Sequence, residues 1–164
     1  GFWLDATVFL TDSIFEWVYK QKLLMFQYCN IHDITMVCNN WFIYSYPGHP
    51  VLVSIRDGLY EYWKKENKVK EYFIWHQFAT LAFEKYPEAL NEMPLLLNTA
   101  GNVLSSKLLN KFDEEEFNYI KSISPIHKLT YKKTLPDDIS GTYYEKLLSL
   151  LLSRPAKSEN PVSH

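Results

Sequence analysis

A single carboxylate stands in the middle of the apolar run that opens the chain, Gly1-Phe2-Trp3-Leu4-Asp5-Ala6-Thr7-Val8-Phe9-Leu10-Thr11-Asp12. An unpaired charge in such a run costs several kcal/mol or neutralises itself through its pKa. Three things can compensate Asp5: an Arg or Lys partner, backbone N–H groups at a strand end, or a metal ion. Asp5 is therefore either a structural carboxylate or a ligand or catalytic group, and its oxygens are hard donors of the kind magnesium and manganese prefer. Thr7, two residues on, is either an ordinary β-branched strand residue or a weaker oxygen donor. His127 and Lys128 form a second candidate, in a turn-rich basic segment that also holds Lys132 and Lys133. They are either a solvated surface pair or contacts for an anion or metal. His76 lies among apolar helix residues, as a core histidine or a site residue. Asn39 and Asn40 are bend residues or hydrogen-bonding groups for a ligand, and His49 completes a Pro-Gly-His-Pro turn.

Rival signatures are missing from the sequence. It has no Gly-rich phosphate loop, no Gly-x-Ser-x-Gly elbow, no Cys-x-x-Cys pair and no His-Glu-x-x-His. Hydrolysis by two carboxylates would need Asp5 to meet Asp12 or Asp33, and nothing in the spacing favours that.

The elements that must position these residues follow from periodicity. Phe2, Leu4, Ala6, Val8 and Leu10 share one face at a period of two, and the other face is apolar too, which predicts a strand buried on both sides in a mixed or parallel sheet. Ser13 and Glu16 have capping-box spacing, predicting a short helix to about Lys20 with Ile14, Trp17 and Val18 inward. Strands are predicted over 23–28, 35–38 and 41–46, with a loop at 30–33 and a bend at Asn39-Asn40. Pro50 suits the first position of a helix running to about Lys65. A second helix is predicted over 71–86, with Phe73, Phe78, Ala82 and Phe83 inward, ended by Pro87. Loop around Pro94 and Gly101 gives way to one or two short helices over 103–122, where Asp113-Glu114-Glu115-Glu116 suits a helix N-terminus. A last helix covers 142–153, and residues 155–164 read as a flexible tail.

The blocks around these residues resemble the capsular polysaccharide synthesis proteins and the related glycosyltransferase family 32. Gly1, Trp3-Leu4, Asp5-Ala6-Thr7 and Val8-Phe9-Leu10 are similar to the metal-binding strand of that group. Asn39-Asn40-Trp41-Phe42-Ile43 with Pro47-Gly48-His49-Pro50 resembles its next strand and turn. Glu61-Tyr62-Trp63-Lys64, Tyr72-Phe73-Ile74-Trp75-His76 and Ile126-His127-Lys128-Leu129-Thr130-Tyr131-Lys132 follow in the same order. The resemblance covers roughly residues 1 to 132. It implies an α/β fold of the GT-A nucleotide-diphospho-sugar transferase type, partial here, with a short mixed sheet and C-terminal helices. It also implies an upstream nucleotide-binding half, so that residues 1–154 correspond to the C-terminal portion of the transferase domain.

The implied activity is transfer of a hexose from a nucleotide diphosphate sugar to a saccharide or lipid-linked acceptor at the cytoplasmic face of a membrane, with manganese or magnesium as cofactor. By the same resemblance, Asp5, Thr7 and His127 hold the metal, while Asn39, Asn40, His76 and Lys128 contact the donor. Thr7 departs from the Asp-X-Asp form, which places a second carboxylate there. The alternative is a non-catalytic lobe of the same fold that binds a glycan or partner. Convergence of Asp5 and His127 on one cleft favours the transferase; Asp5 paired with a lysine and His127 turned away favours the binding lobe.

Composition restricts the partners. A chain of 164 residues, 47% hydrophobic and 22% charged, is enough for one globular core. A net charge of −2 gives no bulk attraction to nucleic acid or an anionic membrane surface. The lysines at 64, 65, 68 and 70 alternate with Glu61, Glu66 and Glu71, the pattern of a solvated helix end. Cys29 and Cys38 lack zinc spacing and read as buried thiols of a reducing compartment. No apolar run approaches eighteen residues.

Overall fold

The computed structural model describes residues 1–28 and 36–153. The opening run is two short strands, β1 (Phe2–Leu4) and β2 (Val8–Leu10), separated by a turn at Asp5. The predicted long strand buried on both sides is therefore corrected: all three β1 side chains are exposed. The pairings of β1 with β4 (Cys38–Ser45), of β4 with β3 (Leu23–Gln27) and of β2 with β5 (Ile126–Lys128) are all antiparallel. The sheet is thus antiparallel rather than mixed, in two parts: three strands in the order β1-β4-β3, and a separate ribbon of β2 and β5. Among the described residues a single parallel bridge joins Gln27 to Leu97.

The predicted strands at 35–38 and 41–46 merge into β4, and Asn39-Asn40 lies inside it. Met25 sits opposite Ile43 and Gln27 opposite Cys38, so four residues of β4 (39–42) face one of β3. The bend expected at the asparagines is this bulge. The loop expected at 30–33, Cys29 and the tail 155–164 lie outside the described residues.

Helix α1 (Phe15–Val18) is shorter than predicted, and its capping box does not form. Ser13 Oγ accepts from Phe15 N–H at 3.4 Å, while Asp12 Oδ1 accepts from Ser13 N–H at 2.7 Å. Helix α2 (Pro50–Lys65) starts as predicted. The turn before it uses Gly48 at φ +79°, and the His49 ring caps it, Nδ1 accepting from Val51 N–H at 3.2 Å. Helices α3 (Ile74–Lys85), α4 (Asn98–Lys107), α5 (Glu114–Ile123) and α6 (Tyr143–Leu152) complete the fold, with a 3-10 turn at Pro87–Leu90. Asp113 Oδ1 caps α5 by accepting from Glu116 N–H at 2.7 Å, as the acidic run suggested. Phe73, predicted inward, is exposed just ahead of α3.

Among the described residues three apolar clusters hold these elements. Alternation along the sheet sends Leu23, Met25 and Ile43 to one face, against Val51, Ile55, Ala79, Ala82 and Phe83 of α2 and α3. Leu24, Phe26, Trp41 and Phe42 share a second cluster with Ile14, Val18 and Ile126. Phe9, Leu104, Leu108, Phe117, Ile120, Tyr143 and Leu147 form the third, among the C-terminal helices. The β2–β5 ribbon contributes Ile126 to one cluster and Phe9 to the next, so it is the seam between them. Among the described residues no helix is long and apolar enough to cross a membrane.

Candidate functional site

The turn between β1 and β2 builds the site. Asp5 N–H donates to Trp41 C=O at 2.9 Å, the last link to β4, and Asp5 C=O accepts from Val8 N–H at 2.9 Å, closing a four-residue turn. Asp5 Oδ1 accepts from Thr7 N–H at 3.1 Å and from the Thr7 hydroxyl at 3.3 Å. This is the local side-chain turn that makes Asp a favoured first turn residue. The chain then enters β2, where Val8 pairs with Lys128 and Thr7 C=O accepts from Leu129 N–H at 2.9 Å.

That register brings Lys128 Nζ to 2.7 Å from Asp5 Oδ2 and into hydrogen-bond contact with Thr7 Oγ1. An ammonium has three donors, and no partner for the third is seen among the described residues. The Lys128 ammonium, ahead of the Thr7 contacts, holds the Asp5 carboxyl below its ordinary value. The cluster lines a cavity of about 310 Å³ together with Tyr72, Asn102, Ser105, Thr130, Tyr131 and Lys132. Among the described residues the charged groups on its wall are the Asp5 carboxylate and the Lys128 and Lys132 ammonium groups. Tyr72 and Tyr131 are 84% and 81% exposed, so both rings are open to solvent at the cavity.

His127 is not part of this arrangement. It pairs with Phe9 while Lys128 pairs with Val8, and neighbouring residues of a strand point to opposite faces. Its ring is fully buried, Nε2 lies 3.2 Å from Thr11 Oγ1, and Nδ1 has no partner among the described residues. Burial pushes its pKa down to about 4. It is a neutral core imidazole, and Asp5 and His127 do not meet in one cleft.

The expected donor contacts divide in the same way. Lys128 is at the cavity, whereas Asn39, Asn40 and His76 are not among its lining residues. His76 packs in α3 against the rings of Phe73 and Trp75 at 5.3 and 5.4 Å, and burial lowers its pKa. Asn39 is buried in the β4 bulge, its Nδ2 unpartnered among the described residues. Asn40 is exposed, and its C=O accepts from Trp3 Nε1–H at 2.9 Å. His49 is structural: besides capping α2, its Nε2 lies 3.3 Å from Glu92 Oε2, and Glu92 Oε1 accepts from Lys22 Nζ at 2.8 Å.

Sequence reasoning named Lys132 only as part of the basic segment and did not single out Tyr72, Asn102, Ser105, Thr130 or Tyr131. Tyr72 and the residues 130–132 belong to the two downstream blocks that carry the resemblance, which was the available signal. Asn102 and Ser105 carry no such mark.

The donor set at Asp5 does not fit a divalent ion held by these side chains. Such an ion takes six or more oxygen ligands, several of them from the protein or a bound phosphate. Here Oδ1 is engaged by Thr7 and Oδ2 by an ammonium, which an incoming ion would have to displace. No group of three or more His, Cys, Asp or Glu side chains converges among the described residues. Cys38 is a buried thiol with its pKa pushed up to about 12 by desolvation, which makes it a poor ligand and a poor nucleophile.

No curated protein and no solved structure matches the chain. The sequence model of one family does, over residues 1–147, and by that match the chain belongs to the capsular polysaccharide synthesis protein family.

Proposed function

We propose that this chain forms the donor-phosphate portion of a glycosyltransferase that moves a hexose from a nucleotide diphosphate sugar onto a growing capsular or surface polysaccharide. One observation carries the reading: the Lys128 ammonium, held by Asp5 and Thr7, faces an open cavity lined by hydroxyl and amide groups. Breaking the bond between sugar and diphosphate leaves negative charge on the departing phosphate, and a pre-positioned cation stabilises that charge as it develops. Lys128 is that cation and Lys132 adds a second. Asp5 and Thr7 act as positioning residues. Asn102, Ser105 and Thr130 offer partners to sugar hydroxyls or phosphate oxygens, and Tyr72 and Tyr131 offer flat apolar faces to a sugar or base. The acceptor in this reading is a saccharide or lipid-linked glycan at the cytoplasmic face of a membrane.

A second reading is a non-catalytic lobe of the same family that binds a glycan or partner and turns over no donor. Two observations favour it: Asp5 is paired with Lys128, and the imidazole expected to join Asp5 faces the core instead. Incubating the chain with UDP-hexoses and GDP-hexoses separates the two. Bound donor with hexose released to water and nucleoside diphosphate as leaving group shows donor cleavage and supports the transferase. Absence of release supports the binding lobe, and no binding of any donor overturns the donor-phosphate reading.

A further inference from the structure

We propose that Lys128 takes the place of the divalent ion at this site, so that the cluster binds the diphosphate of a nucleoside diphosphate directly and without metal. The inference rests on the donor-phosphate reading above and adds what supplies the positive charge. It comes from three features of the geometry. Both Asp5 oxygens are engaged, one by Thr7 and one by the Lys128 ammonium, so an ion would have to compete with a cation already held there.

The position two residues after Asp5 is a hydroxyl rather than a carboxylate. Thr7 Oγ1 donates to Asp5 Oδ1 and accepts from Lys128 Nζ, a role a second carboxylate could not fill, because it has no proton to give. With Thr7 in place the carboxylate, hydroxyl and ammonium satisfy one another, and the third N–H of Lys128 is left for an anion. Lys132 lines the same cavity, so among the described residues two cations face one carboxylate there. A diphosphate oxygen meeting Lys128 forms a charge-assisted hydrogen bond. The lysine arrives already oriented by Asp5 and Thr7, which removes part of the ordering cost of binding.

The test is calorimetric titration of the full chain with inorganic pyrophosphate, UDP and GDP, in EDTA and again with magnesium. The expected result is a dissociation constant that agrees within threefold between the two conditions for whichever probe binds. Lys128→Gln weakens binding in EDTA by tenfold or more, while Lys128→Arg, which keeps the cation, stays within fivefold of the parent. Thr7→Val, which removes the hydroxyl but keeps the side-chain shape, weakens binding severalfold. Circular dichroism melting verifies that each variant is folded, and the comparison of EDTA with magnesium needs no variant at all. Binding that appears only with magnesium overturns the inference and leaves the donor-phosphate reading standing. Undiminished binding by folded Lys128→Gln also overturns it. If no probe binds in either condition, the donor-phosphate reading fails and the inference fails with it.

Discussion

Asp5 does two jobs with its two oxygens, and substitutions can separate them. Oδ1 closes the turn by accepting from Thr7 N–H, and Oδ2 holds Lys128. Asp5→Asn keeps the turn acceptor and removes only the charge. The ion pair is partly open to water, its side chains 41% and 23% exposed, so the loss should be below about 1 kcal/mol. Asp5→Ala removes the turn acceptor as well and should cost about 1–2 kcal/mol. Urea unfolding of both variants checks this, and equal losses would mean that Oδ1 contributes nothing to the turn. Sequence alone gave Asp5 three possible compensators, and two of them act together: a lysine and backbone N–H. The particular lysine lies 123 positions away, and only the register of β2 with β5 selects Lys128 over its neighbours. The same register turns His127 inward, and one residue of slip would reverse the two. No feature of the local sequence fixes that parity, so His127 and Lys128 were legible as a pair but not as an inside and an outside residue.

Helices were legible where the start signal stood before a long amphipathic segment, and misread where it did not. Ser13-x-x-Glu16 and Thr142-x-x-Glu145 share the capping-box spacing, yet only in the second does the hydroxyl cap its helix. There the glutamate takes the N–H of the residue before the cap rather than that of the cap itself. Thr142 Oγ1 accepts from Glu145 N–H at 3.3 Å, and Glu145 Oε2 accepts from Gly141 N–H at 2.7 Å. A ten-residue helix with Tyr143 and Leu147 buried follows it, whereas α1 has four residues before the chain turns into β3. The opening strand was misread because its composition suits burial on both faces, while a local turn at Asp5 breaks it in two. The start of α4 was hidden by Gly101, which lowers helix propensity. The structure supplies the reason for that glycine: a Cβ there would lie 2.7 Å from Trp41 Cη2 and 3.1 Å from Phe26 Cε1. Trp41 cannot yield easily, since it stacks on Phe26 at 4.3 Å and its Nε1–H donates to Asn98 Oδ1 at 3.2 Å. Gly101→Ala should therefore destabilise the protein by about 1–3 kcal/mol through overpacking, against a helix-propensity gain of about 1 kcal/mol. Thermal unfolding measures the net, and a raised midpoint would show that α4 can shift away from the sheet. Because α4 carries Asn102 and Ser105 to the cavity, such a shift should also alter ligand binding there.

At the scale of the whole molecule, the buried histidines tie stability to pH through the seam between the clusters. The β2–β5 ribbon joins Ile126 in one cluster to Phe9 in the next, and His127 lies between them with its ring sealed from water. The imidazole titrates near 6.5 in the unfolded chain and at about 4 in the fold. As pH falls below 6.5 the unfolded chain takes up a proton that the folded ring refuses, so stability is full above that pH and declines until the folded pKa is reached. The whole shift corresponds to roughly 3 kcal/mol, of which roughly 2 kcal/mol is lost by pH 5. His76, also lowered by burial, adds a loss of the same sign. Asp5 acts in a separate, lower window. Its carboxyl lies below the ordinary 3.8, so its contribution persists above that value and disappears only as pH falls beneath it. Urea unfolding at pH 7 and pH 5 should show the histidine loss in the parent chain and a clearly smaller loss in His127→Gln, which cannot take up the proton. The slope between the two pH values is the diagnostic, because the variant will also shift absolute stability by disturbing the Thr11 contact. If both chains lose the same stability, His127 becomes protonated without unfolding. The seam would then have to open to water at pH 5 while the two clusters stay intact.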